Sequence, residues 1–162
     1  MAIAVGDKLP EATLLRLGDD GPEPVTVSSL TAGRKIAIFG FPGAFTGTCA
    51  TAHVPSFMRT RDGFADKGID EVIGVTVNDP FVVAAFDEST GAGAAGVTLL
   101  GDPMSEFVLA LDLALTVPAV GFRDRSLRFA MLVDDGVVSV LNIEEQLGEC
   151  TVSAGEALLD AA

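Results

Sequence analysis

An α/β fold is the expectation from three features of this chain. Short apolar runs of strand length alternate with stretches of helical periodicity. The last two strand-like runs flank Asp134-Asp135-Gly136, a tight-hairpin signal. The chain has 162 residues, 49% hydrophobic and 20% charged, which suits a single globular domain over residues 1–162 with one sizeable core.

The elements follow in order. Residues 1–33 hold short strand-like pieces, Thr13–Leu17 and Val25–Val27, broken by glycines and prolines. Ile36–Phe41 reads as a buried strand, and a helix follows from near Thr48 to Lys67, with a bend expected at Pro55 and a stop at Gly68. Val72–Val77 is a second buried strand, closed by Asn78-Asp79-Pro80. Phe81–Glu88 repeats apolar residues at helical spacing, Val97–Leu100 is a short strand, and Ser105–Asp112 is helical with Phe107, Val108 and Leu111 on one face. Phe129–Val133 and Val137–Leu141 form the hairpin. A last helix spans Ser153–Leu159, with Ser153 as N-cap and Glu156 at its third position. The order β-α-β-α-β-α, hairpin, helix combines a parallel βαβ start with antiparallel final strands. That is a thioredoxin-like topology: a mixed central sheet flanked by helices.

The first βα turn holds the chemistry. Phe41-Pro42-Gly43-Ala44-Phe45-Thr46-Gly47-Thr48-Cys49 carries a thiol from the strand into the helix. A helix N-terminus has unpaired N–H groups and a partial positive charge, both of which favour a thiolate. Net charge is −13, which argues against nucleic-acid partners and anionic membrane surfaces. Against that acidic background the cluster Arg123, Arg125 and Arg128 stands out. Two cysteines do not make a disulfide framework. The N-terminal residues lack the apolar core of a signal peptide and the Arg/Ser-rich character of a transit peptide, so the expected location is cytoplasmic, where thiols rest reduced.

Pro42-Gly43-Ala44-Phe45-Thr46-x-Thr48-Cys49-x-x-x-His53-Val54-Pro55-x-Phe57 resembles the active-site signature of the peroxiredoxin-5, or type II, peroxiredoxins. Thr76-Val77-Asn78-Asp79-Pro80-Phe81, Arg128-Phe129-Ala130-Met131 and Leu141-Asn142-Ile143-Glu144 resemble three further landmarks of that family, in family order and over nearly the whole chain. The resemblance implies a thiol peroxidase that reduces hydrogen peroxide and alkyl hydroperoxides. Cys49 would be the peroxidatic nucleophile and become a sulfenic acid. Thr46 would hydrogen-bond the thiolate and orient the peroxide. Arg128 would stabilise the thiolate and the leaving oxygen, and Pro42 would shield the thiol. Gly43, Phe45, Thr48 and His53 fall in the pocket, His53 as a packing residue rather than a base. The resemblance implies no metal and no organic cofactor, and it implies a homodimer, with Phe45, Phe81 and Phe86 as candidates for a dimer face or substrate pocket. One departure is Gly47, where the family usually has proline.

Resolution of the sulfenic acid is left open by the residues. The plant-type enzymes of the family carry a further cysteine where this chain has Gly74. Another branch places a resolving thiol after the Leu-Asn-Val/Ile-Glu segment, and Cys150 matches that position. The competing reductants are glutathione, a glutaredoxin or thioredoxin acting directly on Cys49. Two other functions compete with the enzyme: a redox sensor or relay that passes oxidation from Cys49 to a partner, and a thioredoxin-like binding module with a dead site. No catalytic position is substituted, which bears against the last.

Overall fold

The computed structural model describes residues 1–162. Its frame is a seven-stranded mixed sheet in the order β2-β1-β5-β4-β3-β8-β9. The strands are β1 (Thr13–Gly18), β2 (Gly21–Thr26), β3 (Lys35–Phe41), β4 (Glu71–Thr76), β5 (Val97–Gly101), β8 (Phe129–Asp134) and β9 (Val137–Ile143). β3, β4 and β5 run parallel, while β8 lies antiparallel to β3 and pairs Met131 with Ile38.

The period-two alternation of the central strands divides the core. Ala37, Phe39 and Phe41 face one layer with Ala130 and Leu132; Ile36 and Ile38 face the other with Phe129, Met131 and Val133. The first layer is capped by α2 (Val54–Asp66), α3 (Pro80–Thr90) and α5 (Gly155–Asp160). Phe39 and Phe57 stack face to face at 4.0 Å between ring centroids, and Phe64 extends the stack. Gly74 makes room for it, because a Cβ there would lie 2.6 Å from Phe39 Cζ and 2.7 Å from Leu99 Cδ2. No helix is long and apolar enough to cross a membrane.

The structure departs from the expected elements in five places. The helix expected from Thr48 opens with a wide π turn, Cys49–His53, in which Val54 N–H reaches back to the Cys49 carbonyl. Pro55, which brings no N–H, then sits in the first turn of α2. Val27 belongs not to a strand but to a short helix, α1 (Val27–Thr31), capped by the Thr26 hydroxyl. The helix α4 is short, Glu106–Ala110, because Ser105 and Asp112 on either side are left-handed. An unanticipated hairpin, β6 (Ala114–Val117) and β7 (Phe122–Ser126), forms a separate two-stranded sheet. Finally, Ser153 is not the N-cap of α5. Ala154 holds that place without a side-chain bond, and the Ser153 hydroxyl donates instead to the Glu144 carboxylate at 2.8 Å. A charged acceptor makes the stronger hydrogen bond.

Candidate active site

β3 delivers the chain through Pro42 into a tight turn in which Phe45 is left-handed, φ +61°. Ala44 N–H donates to Asn78 Oδ1, and Thr76 Oγ1 donates to the same oxygen, so the segment after β4 holds the turn in place. Ala50 N–H bonds the Thr46 carbonyl, and Cys49 therefore lies in the first helical turn, as the sequence suggests. Its thiol is buried, 1% exposed.

Arg128 enters just before β8 and brings its Nη2 to 3.3 Å from Cys49 Sγ. The guanidinium is buried, no carboxylate forms an ion pair with it, and its Nε and Nη1 have no hydrogen-bond partner. A buried cation without a counter-ion is costly, so its placement against a sulfur that can ionise is chemically pointed. The three clustered arginines divide sharply. Arg123 is exposed, whereas Arg125 crosses from β7 to donate to the Pro42 carbonyl at 3.0 Å while its guanidinium stacks over Phe122. Arg125 is thus a residue of the site, holding the turn from outside. The Arg cluster pointed to it, but its role depends on the unanticipated β6–β7 hairpin.

Thr46 does not bond the sulfur. Its hydroxyl donates to the Gly43 carbonyl at 2.6 Å, which leaves the oxygen's lone pairs available only as acceptors. A cavity of about 240 Å³ opens beside Arg128, lined by Pro42, Thr46, Thr48, Val120 and Phe122. Phe45 and Phe81 are exposed, and Phe86 is buried beneath Phe45, its ring centroid 5.2 Å away in an edge contact.

His53 is fully buried among Phe39, Phe41 and Phe57. Burial, and then the charge of Arg128, push its pKa down to about 3. It is therefore neutral, and its Nε2 donates to the Ser153 carbonyl at 3.0 Å while Nδ1 has no partner. Thr48 sits at the rim and donates its hydroxyl to the Gly148 carbonyl.

Both cysteines are free thiols, Cys49 buried and Cys150 half-buried. Burial pushes the Cys150 thiol up, and the charge of Arg128 offsets part of the rise. The loop that carries Cys150 is organised by Glu144. Burial alone would raise that carboxyl, but donors from Ser153 and Thr151 outweigh it and hold it below the usual carboxylate range. Glu144 is the functional-region residue that sequence reasoning left without a role.

The chain matches the Redoxin family over residues 4–159. It is 47% identical to the chloroplastic peroxiredoxin-2E-2 of Oryza sativa subsp. japonica, covering 98% of this chain and 72% of that protein. It is 46% identical to the chloroplastic peroxiredoxin-2E of Arabidopsis thaliana, covering 99% and 69%. The crystal structure of reduced Prx3 from Vibrio vulnificus in complex with hydrogen peroxide superposes with a TM-score of 0.91 at 39% identity, covering 98% of each chain. The expectation of a cytoplasmic protein is overturned by the first two matches, since both of those relatives are chloroplastic. The buried thiol, the cation against it and these matches agree: the chain belongs to the Redoxin family, among its peroxiredoxins, and is a thiol-dependent peroxidase.

Proposed function

We propose that Cys49 is the nucleophile of the peroxidase and that Arg128 and Thr46 bind the peroxide against it. The observation that carries this reading is the buried Arg128, with one donor on Cys49 Sγ and two donors without partners. The thiolate sulfur attacks the distal peroxide oxygen. The O–O bond breaks, the sulfur becomes a sulfenic acid, and the other oxygen leaves as water or alcohol after taking a proton. Arg128, with two donor nitrogens unpartnered, is suited to stabilise the charge that develops on the departing oxygen. Thr46, with its hydrogen held by Gly43, accepts the peroxide O–H and so orients the molecule. Pro42 lines the cavity wall. The hydrogen peroxide held by the Vibrio vulnificus relative supports that substrate here.

We infer that a thiol then attacks the sulfenic sulfur, either Cys150 or an external thiol such as glutathione or the thiol of a glutaredoxin or thioredoxin. The raised Cys150 keeps its proton at neutral pH and does not compete for peroxide, which supports a division of labour between the two cysteines. Exposed Phe45 and Phe81 beside the site support a homodimer through that face.

Intact mass after one equivalent of peroxide tests the reading. Addition of one oxygen, or loss of two hydrogens without dimerisation, is expected for the wild type and neither for Cys49→Ser. Peroxide consumption that survived Cys49→Ser would overturn the assignment. Sustained turnover with glutathione separates an enzyme from a relay, which would stop after one equivalent.

A further inference from the structure

The β6–β7 hairpin stands outside the main sheet, and a two-stranded ribbon keeps its place only through what it touches. Toward the turn of residues 42–49 it makes a single hydrogen bond, from Arg125 Nη1 to the Pro42 carbonyl at 3.0 Å. The same guanidinium lies over Phe122, 5.2 Å from its ring centroid. No carboxylate forms an ion pair with Arg125, so the carbonyl and the ring set its orientation. Pro42 and Phe122 both line the cavity beside Arg128, whereas Arg125 does not. One planar cation thus ties two parts of the cavity wall together from outside, one on the turn and one on the hairpin.

Gly43 is matched to this tie. Its φ is not positive, so its backbone does not itself call for glycine. A Cβ there would instead overlap Arg125 Nη1. The missing side chain leaves the space through which the guanidinium reaches the Pro42 carbonyl.

We propose that Arg125 is a positioning residue that sets the width of the peroxide cavity, and so the size of hydroperoxide that reacts fastest with Cys49. The proposal rests on Cys49 being the nucleophile. Hydrogen peroxide is small, and it is held in a reactive pose only where the walls meet it closely. A hydroperoxide with a bulky aryl group fills more of the cavity and tolerates parted walls. By drawing Pro42 and Phe122 together, Arg125 favours the small substrate. Lysine is no substitute, because its compact ammonium lacks the flat guanidinium that stacks on a ring while one nitrogen donates sideways.

The readout is a ratio: the second-order rate of Cys49 oxidation by cumene hydroperoxide over that by hydrogen peroxide, from stopped-time intact mass. Inactive protein cancels when both rates come from one sample. Arg125→Gln and Arg125→Lys should each raise the ratio about tenfold, the size of one hydrogen bond to a charged group, chiefly by slowing the reaction with hydrogen peroxide. Gly43→Ala, which displaces the guanidinium from the other side, should raise it by a similar factor. The Arg125→Gln/Gly43→Ala double variant should go no further than either single change, because both break one contact. Equal slowing with both peroxides would make Arg125 merely structural and overturn the proposal. So would a wild-type ratio in Arg125→Lys, with the pH at which Cys49 becomes reactive shifted only in Arg125→Gln; charge would then be what matters. Effects that multiply in the double variant would overturn it too. Were the Arg125 variants not to fold, Gly43→Ala decides, and an unchanged ratio there sinks the idea. Peroxide consumption that leaves Cys49 unoxidised would instead overturn the nucleophile assignment, while consumption of the two peroxides by each variant still judges Arg125.

Discussion

The surroundings of the two thiols are built from opposite materials. Cys49 stands on an aromatic floor of Phe39, Phe41 and Phe57 with a cation against its sulfur. Cys150 rides on a polar loop gathered around a carboxylate. An apolar floor fixes position through close packing, which gives way only at the cost of a cavity. A hydrogen-bonded loop can exchange its partners for water. The difference teaches why one thiol is held still by packing while the other sits on a segment free to exchange its bonds.

The contrast can be broken most severely at the cation. Arg128→Met keeps the volume and removes the charge; the second-order rate with peroxide should fall about 100- to 1,000-fold, as for loss of a preorganised charge-stabilising donor. Stopped-time mass spectrometry of Cys49 oxidation measures it, and a loss under tenfold would return Arg128 to a packing role. The floor is next. Gly74→Cys would restore the plant-type thiol but thrust a Cβ into Phe39 and Leu99. We expect about 1–3 kcal/mol of destabilisation from overpacking, read by urea unfolding followed through circular dichroism.

Both neighbourhoods meet at His53, the chain's single histidine. Its folded pKa of about 3 lies below the ordinary imidazole value of 6.5. Between those values the unfolded chain binds a proton that the folded chain refuses. Its contribution to stability is therefore complete above pH 6.5 and declines as pH falls toward 3, by at most about 1.4 kcal/mol per pH unit. Nitrogen-15 NMR of the one imidazole should show it neutral at pH 5; titration near 6.5 would refute the buried, neutral state. The smallest effect is expected at Gly47, where an added Cβ meets no heavy atom within 4 Å. Gly47→Ala should stabilise by about 0.4–1 kcal/mol through the unfolded chain. It should also slow the sulfenic acid's reaction with thiols by making the open turn less favourable.

Much of this arrangement was legible in the sequence where the signal is local. The buried strands announced themselves as apolar runs, and Asp134-Asp135-Gly136 does make the β8–β9 turn, with Asp135 and Gly136 both at positive φ. The π turn left no trace in residue spacing, since the same five residues could wind as an α-helix. β7 reads Phe122-Arg-Asp-Arg-Ser126, too charged to resemble a strand, yet Arg125 is usable only because that strand forms. Ser153 looked like a helix cap because caps are sequence-local, whereas Glu144 reached it from nine residues away. Thr46 lines the cavity beside Arg128, but which atom holds its hydrogen depended on the folded turn.

Arg128 has one more consequence, which concerns long-range forces. It is buried in a molecule of net charge −13, and the outer field that an approaching molecule meets is negative. A neutral hydroperoxide crosses that field unhindered. Were the reductant an anionic thiol such as glutathione, it would be repelled until close, and dissolved salt, which shortens the reach of the repulsion, would quicken its reaction more than oxidation by peroxide. With such a reductant, ionic strength would become a control on which half of the cycle is slow.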